Sequence, residues 1–155
     1  MSVIDLQARV ALKDIVTPAA LAGIGMSPDG RTIVVVDATA PRVFVIDTQT
    51  DRITRTLPLR GHQQASQIAR YSPDGRYLVV TSHDESLATV LSADLDSQQT
   101  VALGQGPMNM AFHPNGRTVL IANHDEGTLS VVDLQTAKVV RTVEAGKGVE
   151  TLSFF

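Results

Sequence analysis

The chain has 155 residues, 43% of them hydrophobic and 19% charged, the composition of a folded domain rather than a disordered segment. A net charge of −3 with scattered lysines and arginines offers no basic surface, so neither nucleic acid nor an anionic membrane is an expected partner. The absence of cysteine excludes disulfides, zinc thiolate sites and thiol nucleophiles. No apolar run reaches the roughly 18 to 20 residues of a membrane span, and the opening residues lack the basic and apolar regions of a signal peptide.

Taken in order, the chain reads as a repeat. Val3-Ile4-Asp5 closes a strand, and Asp5 can bond backbone amides two residues on, an Asx-type turn into a second strand over 8–16. A strand at 21–26 leads to Ser27-Pro28-Asp29-Gly30-Arg31. In that stretch Pro presets φ for the first corner, Asp suits the second, and Gly supplies the positive φ of a bulged hairpin. A β-branched strand at 32–36, a short loop, a strand ending Val45-Ile46-Asp47 and a polar strand at 53–57 follow. The turn returns as Ser72-Pro73-Asp74-Gly75-Arg76 and His113-Pro114-Asn115-Gly116-Arg117, each between a first strand (66–71, 107–112) and a second (77–81, 118–122). Third strands end in Val90-Leu91-Ser92 and Val131-Val132-Asp133, with Ser92 a weaker copy of the Asp turn. Fourth strands lie at 100–103 and 139–143, and a last first strand is expected at 149–154. From Ser27 to Ser72 is 45 residues and from Ser72 to His113 is 41, the period of a four-stranded propeller blade. The expected fold is all-β: a β-propeller of antiparallel blades at 1–17 (strands three and four only), 21–57, 66–103, 107–144 and 149–155 (strand one only).

Leu120-Ile121-Ala122-Asn123-His124-Asp125-Glu126-Gly127-Thr128-Leu129-Ser130-Val131-Val132-Asp133, continued by Lys138 to Val143 and Gly146-Lys147-Gly148, closely resembles the YVTN-type β-propeller repeat. The resemblance implies a propeller, usually of seven blades, in proteins that are often extracytoplasmic and diverse in function. Gly61-His62 stands where the WD40 repeat has its Gly-His, but the chain has no tryptophan and Val132-Asp133 replaces the Trp-Asp ending. Three blades cannot close a seven-bladed ring. The chain is therefore expected to be part of a larger propeller or to associate with copies of itself as a homo-oligomer.

Blade topology sorts the side chains. Loops between strands two and three and the linkers between blades emerge on one face, and the Pro-Asp-Gly turns, with His113, on the other. The first face collects His83-Asp84-Glu85-Ser86, His124-Asp125-Glu126-Gly127 and the linkers 59–65 and 104–106. A histidine beside carboxylates can ligate a transition metal or act as an acid/base pair. Equivalent positions in neighbouring blades are expected to lie roughly 10 Å or more apart, too far to share a metal whose ligand bonds are about 2.1 Å. His62 sits in the longest linker, and Arg70 replaces the small residues Gly25, Ala111 and Ser153 of the other repeats. Gln67 and Glu150 stand near the channel ends of their strands. The candidate ligand-binding residues are thus His62, Gln67, Arg70, His83, Asp84, His124, Asp125 and Glu150, with no metal, cofactor or catalytic group expected. The function expected is a non-enzymatic binding or scaffold module for a protein or small molecule on the His-bearing face. The alternatives are a lactone-type hydrolase using His83, His124, Glu150 and Arg70, and a metal or redox-centre propeller domain.

Overall fold

A computed structural model describes residues 1–154. Fourteen strands and no helix occur among them. β1 (Ser2–Asp5) and β2 (Val10–Asp14) form a two-stranded sheet. Three antiparallel meanders of four strands follow. The first blade comprises β3 (Leu21–Met26), β4 (Thr32–Asp37), β5 (Arg42–Asp47) and β6 (Arg52–Pro58). The second comprises β7 (Ile68–Tyr71), β8 (Tyr77–Ser82), β9 (Leu87–Ser92) and β10 (Gln98–Ala102). The third comprises β11 (Pro107–Phe112), β12 (Thr118–Asn123), β13 (Thr128–Asp133) and β14 (Lys138–Glu144). All-β propeller blades are what the repeat spacing requires, and the strands fall where the turns divide the chain.

The turns show why. Gly30, Gly75 and Gly116 have φ of 71°, 70° and 66°, values that glycine adopts without a Cβ penalty. Ser27 and Ser72 donate their hydroxyls to Asp29 (2.6 Å) and Asp74 (2.7 Å), and each Asp accepts the following arginine amide. In the third copy the His113 ring accepts the Asn115 amide at 3.1 Å. Ser92 departs from the sequence reading. Its hydroxyl goes to Asp94, whose carboxylate takes the Asp96 amide, and Leu95 has φ of 65°. Ser92 thus builds the Ser-x-Asp turn of the hairpin tips instead of a weak Asp turn. The Asp turns themselves form at Asp5, Asp47 and Asp133, each accepting amides two or three residues on.

β4, β5, β8 and β9 are buried on both faces, as near-continuous apolar runs demand. β2, β6 and β14 are largely exposed and form the rim. The two seams between complete blades differ. At the first, β3 approaches β7 so closely that a Cβ on Gly23 or Gly25 would lie 2.3 Å from the Gln67 carbonyl or 2.7 Å from that of Ala69. At the second, the fully buried Met110 shares one apolar cluster with Val79, Ala88 and Val90 of the neighbouring blade, so side chains fill the seam. Residues 149–154 carry no strand, contrary to expectation, because no further strand among the described residues is available to pair with them. There the Phe154 ring stands edge-on to His113, centroids 5.1 Å apart. The expected blade segment 149–155 also includes residue 155, which lies outside the described residues.

Candidate functional site

The repeated His-Asp-Glu stands in the loops β8–β9 and β12–β13, and the structure divides it into two parts. The glutamates are structural. Glu85 accepts the Gln63 amide (2.6 Å) and the Ser82 hydroxyl (3.2 Å), and Glu126 accepts the Gln105 amide (2.9 Å) and the Thr128 hydroxyl (3.2 Å). Each therefore fastens the linker that enters its own blade. A linker amide has no strand partner, so the carboxylate satisfies a donor that would otherwise depend on water. This clamp was not foreseen from the sequence, although the third position of a repeated tripeptide was its signal.

The His-Asp pairs remain. His83 Nδ1 lies 2.9 Å from Asp84 Oδ1, and His124 Nδ1 lies 3.0 Å from Asp125 Oδ1. Across the seam, His83 Nε2 reaches to 3.5 Å from Asp125 Oδ2. The expectation of roughly 10 Å between neighbouring blades is thereby corrected: one ligating atom each from His83, His124 and Asp125 lie within 4.8 Å of one another. The long side chains lean across the seam, and the linker makes room for them. Gly106, at φ 67°, lets Asp125 approach so closely that a Cβ there would meet Asp125 Oδ2 at 2.6 Å; one on Gly104 would meet Glu126 and Asn123. The result is a shallow depression of about 360 Å³ lined by His83, Asp84, Ser86, Gln105, Gly106 and Asp125.

Charge is one-sided here. Among the described residues, no lysine or arginine pairs with Asp84, Glu85, Asp125 or Glu126. The hydrogen bond from His124 is the main influence holding Asp125 below the usual carboxylate range; slight desolvation opposes it and the neighbouring imidazoles reinforce it. Asp125 is accordingly ionised at neutral pH.

The other candidates separate from this cluster. His62 is fully buried: Nε2 meets the Thr89 hydroxyl at 2.6 Å, Nδ1 the Ser66 hydroxyl at 3.1 Å, and Glu85 lies 3.5 Å from Nδ1. Burial pushes its pKa down, with Glu85 opposing, so His62 is a neutral interior pin under the linker rather than an open ligand. Gln67 borders a separate hollow of about 450 Å³ at the inner ends of β3 and β7, which Asp84 also reaches. Arg70 is exposed on β7 and forms no ion pair among the described residues. Glu150 is exposed in the strandless stretch after β14. The structure thus brings together His83, Asp84, His124 and Asp125, and leaves His62, Gln67, Arg70 and Glu150 apart.

Consecutive four-stranded meanders packed face to face, with polar loops gathered at one end of each seam, define a β-propeller. Within that class the chain belongs to the cytochrome D1 heme domain family, which it matches over residues 32–151. Echinoderm microtubule-associated protein-like 1 from mouse, rat and human is 40% identical over 63 residues, which is 41% of this chain and 7% of those proteins. The chain therefore spans a small fraction of the length of these curated relatives. Kuenenia stuttgartiensis hydrazine synthase aligns over 90% of this chain and 40% of its own, with a TM-score of 0.75 at 21% identity, a likeness of fold.

The family's name implies a haem, and the residues at this seam do not fit one. Haem iron leaves two positions, on opposite sides of the macrocycle. Here three ligating groups converge on one point. A tetrapyrrole with carboxylate substituents also requires cationic partners and an apolar slot, whereas this depression is bordered by carboxylates and glycine.

Proposed function

We propose that this chain is a non-enzymatic, ligand-binding part of a β-propeller that takes its ligand on the loop face, at the seam between the second and third blades. The observation that supports this reading most is the convergence of His83, Asp84 and Asp125 from two blades on one open depression. The opposite face offers a contrast. In its Ser-Pro-Asp-Gly turns the serine hydroxyl and the aspartate carboxylate bond to each other and to the turn's own amides, so these groups are engaged locally. Nor does the depression hold the nucleophile–histidine pair of covalent acyl transfer: His83 and His124 both pair with aspartates.

The test is a thermal-shift screen with divalent metal chlorides, haemin, sugar acids and short peptides as probes. At least one probe is expected to raise the Tm of the wild-type chain. The rise should disappear in a His83→Ala/Asp125→Asn double variant and persist in Arg76→Ala on the turn face. A rise that survives the double variant and is lost in Arg76→Ala would place the binding surface on the wrong side of the propeller.

A further inference from the structure

We infer that His83, His124 and Asp125 form a mononuclear site for a divalent transition-metal ion, with an open coordination position facing solvent. This inference rests on the loop-face reading above and names its ligand. Three donors of the borderline type, two imidazoles and one carboxylate, lie within 4.8 Å of one another. Around a tetrahedral ion with bonds of about 2.0 to 2.1 Å, donor atoms sit about 3.3 Å apart. His83 Nε2 and Asp125 Oδ2, from two neighbouring loops, are already at 3.5 Å.

A second feature is independent of that spacing. His83 Nδ1 lies 2.9 Å from Asp84 Oδ1, the carboxylate–imidazole pair that fixes the tautomer of metal-ligating histidines and leaves Nε2 free with its lone pair toward the metal. Asp84 is thus a positioning residue. The ion would also neutralise the excess of carboxylates for which the described residues supply no lysine or arginine. Two histidines and one carboxylate favour zinc, copper, nickel or ferrous iron over calcium or magnesium, which prefer all-oxygen sites. Three protein donors leave the fourth position to water or to a ligand presented to the loop face.

The test is isothermal titration of ZnCl₂ into untagged, chelator-treated protein, with CoCl₂ absorption as a readout of geometry. We expect one ion per chain and tetrahedral cobalt bands. His83→Ala and His124→Ala should each weaken zinc binding at least 100-fold. Asp84→Asn should weaken it roughly 10- to 100-fold while retaining the cobalt bands, and His113→Ala on the opposite face should leave it unchanged. Far-UV circular dichroism identifies any variant that has lost its sheet, and His124→Gln then replaces it. Zinc affinity equal in the wild type and in the His83→Ala and His124→Ala variants, or lost in His113→Ala, overturns the site. If zinc fails while another probe in the thermal screen depends on His83 and Asp125, the metal assignment falls and the binding face stands.

Discussion

His62 shows how one residue type takes opposite roles in a single chain. His83 and His124 lie in exposed loops against aspartates, while His62 is enclosed by Ser66, Thr89 and Glu85. Burial lowers its pKa from 6.5 in the folded state, so the unfolded chain takes up a proton first as pH falls. The stability due to neutral His62 is complete above about pH 6.5 and declines below it until the folded-state pKa is passed. Urea unfolding at pH 7.5 and 5.5 should therefore show the wild type losing more stability than His62→Gln over that interval. Equal losses in the two proteins would mean that His62 is not buried in its neutral form. Its longer linker was visible in the sequence; its burial was not, because that depends on Thr89, 27 residues away in the chain and its neighbour across the blade.

At the level of elements, the hairpin tips were legible because their chemistry is local. Pro, Asp and Gly occupy the positions whose dihedrals they favour, and the side-chain bonds close within five residues. Strands β3 and β11 could be placed from these turns alone. The Ser92 turn is not legible in the sequence, since Leu95 takes the positive φ that a glycine would have announced. The stretch 149–154 differs from its pattern for another reason. Its alternating apolar pattern is that of an inner strand, yet a strand exists only by hydrogen bonding to a neighbour. The division of His-Asp-Glu into a clamp and a pair was equally out of reach, because Glu85 and Glu126 meet amides of linkers some 20 residues upstream. Glu85 and Glu126 thus repeat the clamp in the second and third blades, whereas the Ala38 to Pro41 loop of the first blade carries no glutamate.

For the whole molecule, the arc has unequal flanks. Ile15, Val35, Phe44 and Ile46 join the β1–β2 sheet to the outer part of the first blade. Further in, Ile24 and Met26 of β3 are 58% and 60% exposed, although Ala69 and Met110, the equivalents of Ile24, are buried, and Tyr71 and Phe112, the equivalents of Met26, are half-buried. Their face looks toward the region beside β1, where the described residues supply no inner strands. Apolar side chains next to an open strand edge favour association. Light scattering coupled to size exclusion is expected to show more than one species, or a species larger than one chain, and Ile24→Lys/Met26→Lys should shift the distribution toward the monomer. A monodisperse wild-type monomer would contradict this.

The seam between the second and third blades has the opposite character: apolar and closed by Met110 in its interior, polar and open where the loops emerge. That combination gives a packed frame with its accessible polar groups gathered at one end. The most direct measurement is an assigned amide NMR spectrum of the chain before and after one equivalent of ZnCl₂. Shifts are expected to be confined to His83 to Ser86, Gln105 to Gly106 and His124 to Gly127. Shifts centred on the turns at 27–31, 72–76 and 113–117, or none at all, would contradict it.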